Sequence, residues 1–349
     1  MNRVGRIVIA ALSVIFAAVG PPASAAEDAG ALAATAKQLF GELPEEVANP
    51  ANPITDAKVE LGRKLYFDTR LSKNHDIACN SCHRLDRFGV DGEPTSPGHR
   101  GQRGDRNSPT VLNAALHLAQ FWDGRAADVE EQAQGPVLNP VEMGMPAAPV
   151  VEQVLRSIPG YAPLFAAAFP DEKDPVTFVN AARAIGAFER RLLTPGRFDA
   201  FMAGDTNALS AREREGLDTF IKTGCVTCHV GPAIGGSLYQ KLGVVKPFET
   251  EDEGRFAVTK NESDLHVFKV PGLRNIAKTG PYFHDGSVTS LEEAVRLMAW
   301  HQLGVDLPQE KVTSIVTFLN ALTAAPDPKL AAEPELPPSG PDTPAPDPS

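Results

Sequence analysis

Apolar residues recur at helical spacing in several stretches of this chain, and the strict alternation of a half-buried strand is scarce. Phe178, Ala182, Ile185, Phe188 and Leu192 return every three or four positions, which predicts a helix with Asp174 as N-cap and Pro175 in the first turn. A second helix is predicted near residues 308–322, with Ile315, Phe318, Leu319 and Leu322 on or near one face. A third opens at the capping box Ser290-Leu291-Glu292-Glu293 and carries Leu291, Val295 and Met298 on one side. The chain reads as mainly α. Over residues 326–349 the pattern stops: nine prolines among 24 positions and little apolar bulk predict an extended, disordered tail.

At the other end, Arg3 and Arg6 precede an apolar run over residues 7–19, followed by Pro21, Pro22 and the small-residue pattern Ala23-Ser24-Ala25. That is the layout of a secretory signal over residues 1–25, cleaved after Ala25. The run is short for a membrane span, which needs about 20 residues, and no later stretch is long and apolar enough, so the mature form is expected to have no span. The net charge of −11 becomes about −13 once the two leader arginines are gone. Such a charge argues against nucleic acid and anionic membranes, and it suits a basic electron donor steered by the field.

All four cysteines fall in two copies of one pattern, Cys79-Asn80-Ser81-Cys82-His83 and Cys225-Val226-Thr227-Cys228-His229. A c-type haem needs two thiols for thioether bonds and an imidazole on the same turn to reach iron, and Cys-x-x-Cys-His supplies all three. Two disulfides or one four-thiolate zinc site would use the cysteines but need neither histidine. With 8 histidines in 349 residues, finding one after both pairs is a sharp coincidence on those alternatives. Two covalently bound haem c groups are therefore expected, and they agree with export.

The two motifs are 146 residues apart, and each follows a similar helical lead: Glu60-Leu61-Gly62 with Leu65 and Tyr66, then Glu215-Gly216 with Phe220. This predicts two cytochrome c-like haem domains in tandem, over 40–205 and 206–325, with Thr194-Pro195-Gly196 as a junction. Each iron then needs a further ligand or an open position, and the choice separates electron transfer from chemistry. The remaining histidines and methionines are the candidates, although an inward Met such as Met298 is more often core packing.

Residues 89–146, which include Ser96-Pro97-Gly98-His99, Gln120-Phe121-Trp122-Asp123-Gly124-Arg125 and Asn139-Pro140-Val141-Glu142, resemble the first haem domain of bacterial dihaem cytochrome c peroxidases. The similarity continues through Gly254-Arg255-Phe256, Leu273-Arg274-Asn275-Ile276, Pro281-Tyr282-Phe283-His284 and Met298-Ala299-Trp300-His301, and spans roughly residues 40–325. The resemblance implies that His83 is the proximal ligand of the first iron and His99 its displaceable sixth ligand, and that His229 and Met298 hold the second. It implies Trp122 between the haems, Gln132 and Glu142 on the peroxide side, and a calcium ion bound by the Asn107 side chain and the Thr279 and Pro281 carbonyls. His75, four residues before Cys79, is too close to the attachment turn to reach the opposite haem face. His284 is expected to hydrogen-bond near the second haem, and His117, His266 and His301 to be structural.

Such an enzyme is periplasmic, often a homodimer, and reduces hydrogen peroxide with electrons from a small cytochrome c or copper protein. A thioether favours ferrous iron, so the His229/Met298 centre should have the higher potential and admit electrons, leaving the first centre for the reaction. Glu142 is then the natural acid–base group, with Gln132 orienting peroxide. Two alternatives stay open. One is a dihaem electron carrier without catalysis. The other is the relative that oxidises tryptophans on a methylamine dehydrogenase precursor, a group known for Tyr where this chain has Met298.

Overall fold

The computed structural model describes residues 25–349; of the export signal expected over residues 1–25, residues 1–24 lie outside the described residues. The chain is mainly α, and its apolar side chains gather into two cores. In the first, the helix Asp56–Phe67 lies against the helix Phe178–Glu189, with Ala148–Ser157 and Tyr161–Ala168 closing the other side. In the second, Ala211–Thr223 lies against Gln309–Ala321, supported by Leu291–Leu303, Arg197–Met202 and Ala25–Phe40. Among the described residues the strands are limited to the ribbon of Tyr239–Lys241 and Val267–Lys269.

The two lead helices start for the same reason. Thr55 accepts from Lys58 N at 3.2 Å, and Ser210 accepts from Glu213 N at 3.3 Å, each hydroxyl satisfying an amide the helix leaves free. Each lead also crosses its partner at a glycine. A Cβ at Gly62 would stand 1.9 Å from the Ala184 carbonyl oxygen, and one at Gly216 would stand 2.2 Å from that of Ser314. No larger residue fits either crossing unless the helices separate, so the duplication seen in the motifs extends to how each half is packed.

Three details differ from expectation. The helix at Phe178 is capped by Thr177, which accepts from Asn180 N at 3.1 Å, and not by Asp174. Asp174 instead pairs with Arg156 at 2.7 Å, while Pro175 and Val176 remain outside the helix. Second, Ala33, Ala36, Phe40, Phe198, Phe201 and Met202 all pack into the second core, so that core recruits chain on both sides of the first. Third, residues 326–349 do not hang free. Pro328–Ala331 form a helical turn whose Leu330 and Ala331 touch the first core, and the rest lies across the surface of the first half. Its polar anchors are largely main-chain groups, which composition does not report.

At the junction the halves share one hydroxyl. Thr194 Oγ1 accepts from the side-chain amide of Asn113 at 2.9 Å and from that of Asn275 at 3.0 Å, and all three residues are buried. Both asparagines adopt left-handed backbone, at φ 63° and 64°, a conformation their short polar side chain tolerates better than most.

Candidate functional site

Each Cys-x-x-Cys-His turn opens onto its own cavity. The first, of about 170 Å³, is lined by Cys79, Cys82 and His83; the second, of about 240 Å³, by Cys225, Cys228 and His229. A cavity of about 150 Å³ inside a small protein already admits a benzene ring, so both are large features for close-packed interiors. The four thiols are free, and the two pairs serve different cavities, which removes the disulfide and the shared zinc site as readings. Burial pushes the Cys79 and Cys225 thiols up to about 12 and Cys82 to about 11.

Both motif histidines are oriented from behind. His83 Nδ1 lies 2.9 Å from the Pro109 carbonyl oxygen and His229 Nδ1 lies 3.2 Å from that of Ile234. A carbonyl can only accept, so Nδ1 carries the proton and Nε2 keeps its lone pair, as an iron ligand must. Burial lowers both imidazoles, His229 to about 4, and so preserves the neutral ring. In the first half, Tyr66 Oη donates to the His83 carbonyl at 2.6 Å, fastening the turn to the lead helix. Free thiols, a pre-set imidazole and an apolar chamber at each turn fit two covalently held haem groups.

Met298 lines the second cavity together with Leu291, Ala294 and Val295 of the same helix, so the face expected from spacing does look inward. Ser290 caps that helix, accepting from Glu293 N at 3.4 Å. Gln132 and Glu142 line the first cavity. Burial raises the Glu142 carboxyl above its ordinary pKa, against the charge of Arg125 and a 2.9 Å hydrogen bond from Asn139 Nδ2. His99 does not line that cavity. Its main-chain N donates to the Glu142 carbonyl at 2.7 Å, and its side chain is buried with Nε2 3.1 Å from the Ser349 main-chain oxygen.

Trp122 borders both cavities, with Asn107, Pro109 and Thr110. It is fixed by its indole N–H, which donates to the Asn107 carbonyl at 2.9 Å, and by Lys269 N, which donates to the Trp122 carbonyl at 2.8 Å. Arg255 of the Gly254-Arg255-Phe256 motif donates to the Asp123 carbonyl at 3.0 Å and stacks on Tyr239, so that motif buttresses the Trp122 turn. Arg106 spans the halves there, bonding Asp123 at 2.6 Å and Asp252 twice at 2.7 Å. Asn107, Thr279 and Pro281 all line the second cavity. The Asn107 amide nitrogen donates to the Glu93 and Pro94 carbonyls, which directs its oxygen away from them. Among the described residues there is no cluster of three or more His, Cys, Asp or Glu that could hold a metal, so a cation bound by these three would meet neutral oxygens.

Further groups line the two cavities. Arg125 lines the first cavity near Glu142, with its guanidinium 3.5 Å from the centre of the Phe121 ring. Glu189, also on that wall, is pushed up to about 8 by burial and then by the neighbouring charge of Glu130. In the second cavity Lys269, brought down to about 8 by burial, places Nζ 3.0 Å from His117 Nδ1. His117 is thus a cavity residue, whereas His75, His266 and His301 border neither chamber. His284 lines the second cavity, stacked on Phe268 and 3.1 Å from Thr250 Oγ1, in keeping with hydrogen bonding there. One signal was available for it: Phe121-Trp122-Asp123-Gly124 and Phe283-His284-Asp285-Gly286 repeat each other 162 positions apart, with matching positive φ at both Phe and both Gly. His284 is the counterpart of Trp122.

Residues 56–207 match the di-haem cytochrome c peroxidase family. The chain is 48% identical over 319 residues to the cytochrome c551 peroxidase of Nitrosomonas europaea, covering 90% of this chain and 94% of that one. It is 47% identical over 302 residues to the cytochrome c551 peroxidase of Pseudomonas aeruginosa, covering 84% and 87%. Among solved structures, a MauG-like protein associated with microbial copper homeostasis superposes with a TM-score of 0.74 at 28% identity, covering 85% of this chain and 97% of that one.

Proposed function

We propose a reaction from one premise: the chain belongs to the di-haem cytochrome c peroxidase family. It reduces hydrogen peroxide to two molecules of water at the first cavity, consuming two protons and two electrons that enter at the second. Haem c, when bound, supplies at each turn an iron that exchanges electrons and, where a coordination position is open, takes peroxide. The observation that carries the reading is the asymmetry of the chambers. Gln132, Glu142 and Glu189 line the first together with Arg106 and Arg125, whereas among the described residues no Asp or Glu lines the second, which holds Met298, Lys269 and Arg274.

The asymmetry orders the two centres. A thioether from Met298 favours the reduced state, and the carboxyls that could serve acid–base chemistry line only the first chamber. The second half is therefore the entry port and the first the place of reaction. There, Glu142 takes the proton of the inner peroxide oxygen and returns it to the outer one, which leaves as water. Gln132 orients the substrate through its amide. His99 is the ligand that yields the site, and Trp122, walling both chambers, is the side chain through or beside which electrons cross.

The setting follows the same reading. The acidic chain is exported to the periplasm, meets a small basic cytochrome c or a copper protein, and pairs as a homodimer; among the described residues no helix is long and apolar enough to cross a membrane. A calcium ion held by Asn107, Thr279 and Pro281 would brace the wall between the halves with hard oxygen donors.

The test is a titration to the half-reduced state. Whatever low-spin share the first centre has should disappear as the first electron enters, and that protein should then turn over peroxide with a reduced donor. A half-reduced protein inert to peroxide would return the chain to the class of plain electron carriers.

A further inference from the structure

We propose that residues 333–349 form a latch that holds His99 turned out of the first cavity, so that the strap favours the form able to receive peroxide. The inference rests on reading His99 as the displaceable ligand. The ring is 5% exposed and its Nε2 lies 3.1 Å from the main-chain oxygen of Ser349. That oxygen only accepts, so Nε2 must carry the proton. Nδ1 is then left bare, and it is buried with no hydrogen-bond partner. That is the tautomer opposite to the one needed for ligation through Nε2. The latch therefore does two things with one bond: it occupies the ligating nitrogen and fixes the proton on it.

The strap is fastened along its length to basic residues that lead into the Cys79 turn. Arg63 Nε donates to the Ala332 carbonyl at 3.2 Å, Lys64 Nζ to the Glu335 carbonyl at 2.7 Å, and Arg70 to Ser339 Oγ at 3.1 Å. Pro337 fills the space a side chain at Gly160 would need, and Thr343 meets Ser157 Oγ at 3.0 Å. Farther on, Asp347 N donates to the Lys73 carbonyl at 2.9 Å, and Lys73 Nζ donates to the Ser349 oxygen at 2.6 Å.

Lys73 is the connection to the active loop. Its own amide donates to the Met143 carbonyl at 2.8 Å, beside the Glu142 carbonyl that receives His99 N. The strap, Lys73 and the His99–Glu142 loop thus form one network. The prolines make it affordable in entropy, because a chain with few accessible conformations loses little when it docks. Acidic side chains at Glu333, Glu335, Asp342 and Asp347 are opposite in charge to the row Arg63, Lys64, Arg70 and Lys73, and Asp347 pairs with Lys73 at 3.5 Å.

The experiment compares the haem-loaded protein with a version ending at Ala332, each with His99 intact or changed by His99→Gly. The readout is the proportion of high-spin to low-spin ferric iron in the first half, with the unchanged spectrum of the Met298 centre as the check on folding. Truncation should lower that proportion about fivefold, the weight of one hydrogen bond, and His99→Gly should restore it in the truncated protein. A milder deletion of residues 347–349 keeps the anchors from Arg63 to Ser157 and should shift it the same way. If truncation changes nothing while His99→Gly raises the high-spin share in both backgrounds, His99 ligates and the latch is wrong. If His99→Gly has no effect in the truncated protein, His99 is not the ligand and the latch falls with that reading.

Discussion

Replacing Glu142 by glutamine tests the proposed chemistry while leaving the shape of the site alone. The glutamine oxygen can still accept from Asn139 Nδ2, so the loop that also carries His99 keeps its bonds. What is lost is a carboxylate able to take and return a proton, a contribution of roughly 10²- to 10⁴-fold, or about 3–5 kcal/mol of barrier. The pH profile adds an independent check. Burial raises this carboxyl, and the positive charge of Arg125 holds it down. The base form is present above its pKa and lost below it, so kcat/KM for peroxide should fall on the acid side at a pH above the ordinary carboxylate range. Arg125→Leu removes the opposing charge and should move that acid limb upward without abolishing turnover. The assay is steady-state oxidation of a reduced donor at varied peroxide and pH, with both haem spectra recorded. A Glu142→Gln protein with intact haems and turnover within a few fold of the parent would refute the assignment, as would an acid limb that Arg125→Leu leaves in place.

Three further outcomes follow from the geometry. Glu130 is bonded by Arg190 twice at 2.8 Å and by Asn49 and Asn52, all in a largely buried setting, so Glu130→Ala strands a buried guanidinium and should cost about 3–5 kcal/mol in urea unfolding. Burial would raise Glu130, but Arg190 and the two asparagines bring it below its ordinary value; its stabilisation is therefore full above the unfolded carboxylate pKa and fades as pH drops through the lower folded one. Met298→His should lower the potential of the second centre by on the order of 0.1 V, within the ~0.8 V that axial ligands span; an unmoved potential in a redox titration would show that Met298 merely packs. A calcium chelator should reduce turnover of the parent but not of an Asn107→Ala protein, and equal sensitivity of the two would eliminate calcium at that wall.

The chemistry was legible because covalent haem attachment forces its reactive groups into five consecutive residues, and because Met298 lies on a helical face whose period is visible. The packing of Gly62 and Gly216 against facing carbonyls was half legible: the repeat showed, the reason did not. His284 was not matched to Trp122 because insertions between the motifs changed the repeat distance from 146 to 162 positions, so a search at one fixed period finds only one pair. Arg125 stands in the Trp122 motif with nothing to mark its role, and Glu189, Lys269 and His117 belong to no local pattern; only folding brings them to the cavity walls. The strap was misjudged on composition, since it is held by scattered carbonyls, hydroxyls and one carboxylate, which leave no apolar period to read. Asp174 looked like a cap until Arg156, eighteen positions earlier, claimed its carboxylate.

Thr194 carries a lesson about ancestry. Copying a gene segment yields matched pairs, and Asn113 and Asn275 are such a pair, yet the hydroxyl that answers both exists once. Separating the halves would take from the Asn275 amide nitrogen the acceptor it shares with Asn113, leaving that side chain only the bond its carbonyl receives from Ala324 N. After the two copies came to lean on that single atom group, their fates were joined: each could vary its ligands and take up separate work, but neither could leave.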